Sequence, residues 1–313
     1  RPTAVKLYDV ALGVLRSAPV TGAARRLTRD RIRILAYHGV PDAEAFDRQM
    51  DHLVSNYVPV DQAAISAAIH DGAPLPAGAA WVTFDDGDPS VVENGLPVLS
   101  RLGVPATMFV CPGLIETGEP FWWRVTDWAA AHVPHRVDVP GGPAALTEYV
   151  KTIGDEDRRS MVSDLLEVIE RPLPTSWRQL CDAELTRWLE AGMALGNHSW
   201  DHPCLDRCSE QAQRQQIERT HDWLSAYVGS PPRSFAYPNG NFSRVVDAKI
   251  GELGYELGLL YDNRLTSLDS PHRQLSRVML EADQPVERLI GVLSGAQPVL
   301  DASRQRLAIR ARG

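Results

Sequence analysis

Cysteine is scarce in this chain: 313 residues contain only Cys111, Cys181, Cys204 and Cys208. That excludes a disulfide scaffold, so the fold has to rest on a buried apolar core. The thiols read as free, which points to a reducing compartment, cytoplasmic or membrane-peripheral. No signal peptide is visible. The initiator Met is missing too, and a trimmed leader would place the protein outside the cytoplasm. Long apolar runs are also lacking. In the opening "RPTAVKLYDVALGVLRSAPV", Arg16 interrupts the run well short of the ~20 residues that a membrane span needs. This stretch reads as an amphipathic helix packed on the domain. Clustered basic charge is absent and the net charge is −8, which disfavours a nucleic-acid surface and a purely electrostatic grip on anionic lipid. There is no internal repeat and no low-complexity tract. Nothing in the sequence sets the oligomeric state.

What is present is an ordinary globular composition, 44% hydrophobic and 23% charged. The length suits one large domain with an insertion, or two domains. Short apolar runs alternate with helical patterns. Strands are predicted at 31–40, 79–87, 105–112, 191–200, 233–240 and 255–261, and "LSRVML" reads as a last one. Helices are predicted at 45–57, 91–103, 209–229 and 243–254. This alternation predicts parallel strands joined by crossover helices. Residues 113–180 break the rhythm and read as a mostly helical insertion, with residues 1–30 as a helical segment ahead of a catalytic unit at 31–300.

In parallel α/β folds the carboxyl ends of the strands carry the chemistry. Here several strands end in polar groups: His38 after "ILAY", Asp85 and Asp86 after "WVTF", Asn197 and His198 after "MALG", and "YPNG" after "SFA". Two adjacent carboxylates repel each other and need a compensating partner. "NHSWDHP" sets His198 and His202 four residues apart, one helical turn, so both rings can face one ion. Two His and one Asp form a ligand set that leaves positions open for water and substrate. One Asp would then be a ligand, and its neighbour could stay ionised as a base. A rival arrangement uses His198, His202, Cys204 and Cys208 as a small structural zinc site, but it leaves the Asp pair unexplained.

Together these residues resemble the polysaccharide deacetylases of carbohydrate esterase family 4, the nodulation-type chitooligosaccharide deacetylase homology domain. The family's TFDDG motif stands at 83–87 and its H-[ST]-x-x-H motif at 198–202 as "HSWDH". "LAYHGV" (35–40), "PFWWRV" (120–125) and "FAYPNG" (235–240) look like the bacterial exopolysaccharide-associated branch. The resemblance spans about residues 31–280. It implies a deformed (β/α) barrel with fewer than eight strands, and metal-dependent removal of N-acetyl groups from amino sugars in a polysaccharide or oligosaccharide. By motif position, Asp85 is the general base, and Asp86, His198 and His202 bind one divalent ion. Zinc is the default, with cobalt, nickel, manganese and iron as alternatives. The partner implied is an N-acetylated glycan.

Two departures matter. The family often places an Arg two residues before the Pro of its strand-end turn, to orient the base; here that position is Ala236, followed by Tyr237 and Pro238. The aromatic residue often found after that Pro is Asn239, whose backbone N–H can still serve an oxyanion. Arg277 in "QLSRVML" is the candidate to steady Asp85, because an Arg in an apolar strand is odd unless it points into the site. Tyr237, Pro238, His38 and Trp200 are candidates for substrate contact, whereas Trp122 and Trp123 read as packing of the insertion. The family's late Leu-x-His motif, source of a general acid, has no clean match, and His272 reads as a loop residue. The alternatives to a polymer deacetylase are a deacylase of a small or lipid-linked amino sugar, and an inactive carbohydrate-binding relative.

Overall fold

The computed structural model describes residues 18–169 and 172–296. Most of the opening amphipathic stretch lies outside them, as do residues 297–300; within them a helix spans Ala18–Leu27. The strands are β1 (Arg33–Tyr37), β2 (Val58–Pro59), β3 (Ala79–Phe84), β4 (Ala106–Val110), β5 (Ala194–Asn197), β6 (Ser234–Ala236), β7 (Leu257–Leu259) and β8 (Val278–Met279). All pair in parallel, in the order β7-β6-β5-β4-β3-β1-β8, and two-residue β2 pairs β3 off this path. The barrel wall therefore has seven strands. The residues before β8 also reach β7, through the bridge between Leu259 and Leu275, so this last segment joins both edges of the sheet. Gly258 permits that seam: a Cβ there would lie 2.4 Å from the Arg273 carbonyl oxygen.

Every residue of β1, β3 and β4 is buried, as expected when both faces of a parallel sheet are covered. One face of β3, with Ala80, Val82 and Phe84, packs beneath the helices together with Leu35, Phe46, Met50 and Leu99. The other turns Trp81 inward with Ile34, Phe109, Leu257 and Leu275. The period of two along a strand continues this inner face through Thr83 to Asp85.

The outer helices follow from sequence in the ordinary way. Asp42 caps Ala43–Asn56 by accepting the Ala45 N–H at 2.9 Å, and Ala45, Phe46, Gln49, Met50 and Leu53 form its buried stripe. Gly103 (φ 63°) and Gly229 (φ 77°) terminate the helices Leu96–Leu102 and Glu210–Val228 in the left-handed conformation. Residues 113–180 carry helices at Trp122–His132, Leu146–Val150 and Asp155–Val168 around a small core of Trp122, Val125, Ala129, Leu146, Val150 and Leu165. No helix among the described residues is long and apolar enough to cross a membrane.

Candidate active site

Strand register gathers the motifs at one end of the barrel. Tyr37 is level with Phe84, Val110 with Asn197, and Asn197 with Phe235, so the residues that follow them meet. They line a cleft of about 730 Å³. Its barrel side carries His38, Asp85, Asp86, His198, His202, Tyr237, Asn239 and Tyr261. The facing wall comes from the insertion, with Trp123, Asp127, Thr147, Glu148 and Lys151.

Asp85 is 2% exposed and Arg277 is fully buried. The guanidinium donates to both carboxylate oxygens, at 2.7 and 2.6 Å. Nε also donates to the Leu260 carbonyl (2.8 Å) and Nη1 to Thr83 Oγ1 (3.2 Å). A bidentate fork of this kind suits Arg and not Lys. Burial alone would raise the Asp85 pKa; Arg277 first, and then His198, outweigh it and hold the carboxyl below its usual range. Asp85 is therefore ionised.

Asp86 turns the other way, at φ 70°. Its Oδ1 lies 3.4 Å from His198 Nε2 and 3.5 Å from His202 Nε2. Asp86, His198 and His202 each offer one ligand atom, all within 4.8 Å of one another. Asp86 Oδ1 is buried without a hydrogen-bond partner, as is His202 Nδ1. His198 Nδ1 donates to the Ala236 carbonyl at 2.8 Å, which turns Nε2 towards Asp86; burial lowers the pKa of this ring, but Asp85 and Asp86 outweigh it and raise it. The orphaned carboxylate oxygen, the fixed ring orientation and the mixed N/O donor set all fit a divalent cation. His202 is held at a low pKa of about 3, chiefly by burial, so its ring is neutral as a ligand's must be.

The His pair does not converge through a helical turn. Residues 198–202 form a bent loop, and Ser199 (φ 67°) and His202 (φ 55°) turn it through left-handed backbone. Together with Asp86 and Asn239 (φ 57°), these are four of the five non-glycine left-handed residues among those described. Such conformations cost of the order of 1–3 kcal/mol each and gather where a site demands them. The Cys-containing zinc arrangement does not assemble: Cys208 Sγ donates to the Cys204 carbonyl, and Asn239 Nδ2 donates to Cys204 Sγ, both at 3.5 Å.

The remaining candidates divide. His38 is half-buried in the cleft, its ring edge-on to Tyr261 at 5.4 Å, and close enough to both carboxylates to influence them. Tyr237 and Asn239 line the cleft, whereas Pro238 is buried and does not. Trp200 is away from the cleft as well: Arg219 lies over its ring at 3.9 Å, and Gly113 is packed so closely that a Cβ would lie 2.3 Å from Trp200 Nε1. His272 sits beside His70, with ring centroids 4.9 Å apart, and does not line the cleft. The insertion's polar wall was not singled out from sequence, because no motif marks Asp127, Thr147, Glu148 or Lys151.

Comparison with known proteins follows the same lines. The family description "Polysaccharide deacetylase" matches residues 72–258. The poly-β-1,6-N-acetyl-D-glucosamine N-deacetylase of Escherichia coli K12 is 23% identical over 283 residues, covering 77% of this chain and 36% of that protein. A Listeria monocytogenes peptidoglycan-N-acetylglucosamine deacetylase is 29% identical over 129 residues, 38% of this chain and 28% of that protein. The chain thus spans roughly a third of the curated relatives it matches. Among solved structures, the Streptococcus pyogenes deacetylase PplD, in complex with acetate, superposes with a TM-score of 0.61 at 18% identity, covering 84% of this chain and 98% of that one. IcaB from Ammonifex degensii gives 0.57 at 17%, covering 85% and 97%. At these identities the structures share a fold. The match to the family description spans more than half the chain, across the strand ends that build the cleft, and the chain belongs to the polysaccharide deacetylase family.

Proposed function

We propose that this chain removes N-acetyl groups from amino sugars of a polysaccharide or oligosaccharide, in a reaction that needs one divalent ion. The observation that carries the reading is the pairing of an ionised, Arg-held carboxylate with an adjacent three-ligand cluster on the floor of a polar cleft. The relatives named as a poly-β-1,6-N-acetyl-D-glucosamine N-deacetylase and a peptidoglycan-N-acetylglucosamine deacetylase support the substrate class.

Asp86, His198 and His202 would hold the ion, zinc by default, and the ion would supply Lewis acidity towards the acetamide carbonyl and towards water. Asp85 accepts the proton of the attacking water. Arg277 keeps its carboxylate ionised and fixed in direction. The N–H of Asn239, on the exposed turn after β6, donates to the oxygen that gains charge. The leaving nitrogen takes its proton from His38, the imidazole of the cleft that the ligand set does not use. Acetate and a free amino sugar result.

The test is acetate release from N-acetylated glycans, polymeric and monomeric, before and after chelation. Activity that disappears with chelator and returns with zinc or cobalt supports the reading; acetate release unaffected by exhaustive chelation refutes metal dependence. His38→Gln should lower turnover by about a hundredfold with metal content unchanged, within the usual range for a lost general acid. Turnover within threefold of the parent would remove His38 from the mechanism.

A further inference from the structure

The two histidine ligands are oriented differently. His198 is fixed through its ring, by Nδ1 on the Ala236 carbonyl. The His202 ring has no such bond: its Nδ1 is buried and unpartnered. What fixes His202 is its own left-handed backbone, and the insertion holds that backbone. Trp122, 4% exposed in the core of the insertion, donates its indole N–H to the His202 carbonyl at 3.0 Å. The Trp123 ring meets the His202 ring at 4.6 Å between centroids. One residue earlier, the Asp201 carboxylate takes Arg159 at 2.8 Å and Gln216 Nε2 at 2.8 Å. Gln216 Oε1 in turn accepts the N–H groups of Trp200 and Asp201, at 2.8 and 3.2 Å. Asp155 anchors Arg159 at 2.8 Å, on the insertion helix Asp155–Val168.

We propose that the insertion is the clamp of the metal loop, with Trp122 a positioning residue that sets His202 for the ion. The proposal rests on the reading above that Asp86, His198 and His202 bind a metal. A left-handed non-glycine residue returns to ordinary backbone geometry unless its surroundings prevent it. The indole bond supplies that restraint on the carbonyl, and the Arg159–Asp201 pair supplies it one peptide earlier. Partners that orient a ligand from behind typically alter metal affinity by about 10–100-fold when removed.

The experiment compares wild type, Trp122→Phe and Arg159→Gln as full chains. Trp122→Phe keeps an aromatic ring but removes the donor; the Arg159 side chain is 47% exposed, so its replacement leaves the core intact. Cobalt and zinc dissociation constants, the cobalt ligand-field spectrum and amide exchange of the metal-free proteins are recorded. Trp122→Phe should bind cobalt and zinc at least tenfold more weakly, with an altered cobalt spectrum, and Arg159→Gln should weaken binding by a smaller factor. In the metal-free protein, the Trp200, Asp201 and His202 amides should exchange at least tenfold faster in Trp122→Phe than in wild type. Affinities within twofold of wild type in both variants would overturn the proposal. Wild type that binds neither ion would refute the metal reading alone; the exchange rates then decide the clamp, and unchanged rates reject it. If Trp122→Phe does not fold, Arg159→Gln carries the same two readouts.

Discussion

Asp85→Asn is expected to lower acetate release by roughly 10²–10⁴-fold, the usual worth of a general base, while the protein keeps its metal. The amide is nearly isosteric with the carboxylate but cannot take a proton from water. Asp86, His198 and His202 are untouched by the change, so metal content separates the loss of a base from the loss of a ligand. The substitution also removes the negative partner of a fully buried guanidinium. Breaking such a pair typically costs about 3–5 kcal/mol, because a charge is left uncompensated away from water. The variant should therefore unfold at lower denaturant concentration even though it is almost the same shape. Turnover above a tenth of wild type, measured on metal-loaded protein, would show that Asp85 is not the base.

The second large effect is expected from Arg277→Met. The guanidinium occupies the inner face of the barrel, and methionine fills part of that volume without its charge. Asp85 then faces burial unopposed by its main partner, and burial raises a carboxyl pKa. In wild type the pKa is lowered in the folded state. The pair thus contributes stability that is present above the unfolded-state value, near ~4, and that disappears as pH falls through the lower folded value. In Arg277→Met that contribution is gone across the neutral range, and Asp85 keeps its proton to higher pH. Turnover should fall, the acidic limb of the pH–rate profile should move upward, and metal content should stay constant. A profile with an unmoved acidic limb would show that Arg277 does not govern the charge on Asp85.

Much of this architecture was legible in the sequence because the residues are of rare kinds in constrained places. An Arg in the apolar segment "LSRVML" has few ways to avoid an unpaired buried charge, and it lies on Asp85. Strands read as short apolar runs ending in polar groups because a doubly covered parallel sheet forces that pattern. The path of the chain between His198 and His202 was not legible. Four-residue spacing suggests a helical turn, but left-handed backbone at Ser199 and His202 achieves the convergence, and no rule of spacing reports a positive φ at serine or histidine. Trp200 shows a different failure. It lies inside the "HSWDH" motif, yet its ring is covered by Arg219 and packed on Gly113. The motif fixes which residues are adjacent along the chain, and the strained loop decides which of them face the cleft. The insertion's wall was hidden because Asp127, Thr147, Glu148 and Lys151 are ordinary residues of surface helices, brought to the cleft only by tertiary packing.

The seam of the barrel has a consequence in time. Arg277 stands on the segment that joins β7 to β1, near the end of the described chain, whereas its partner Asp85 emerges some two hundred residues earlier. While the chain is being made, the earlier strands can pair before that segment exists. Until the seam closes, the inward carboxylate lacks its main counter-charge, and burial of the interior pushes its pKa up. Closure of the sheet and pairing of the buried carboxylate become one event, and a molecule arrested before its last strand would hold Asp86, His198 and His202 beside an Asp85 without its guanidinium.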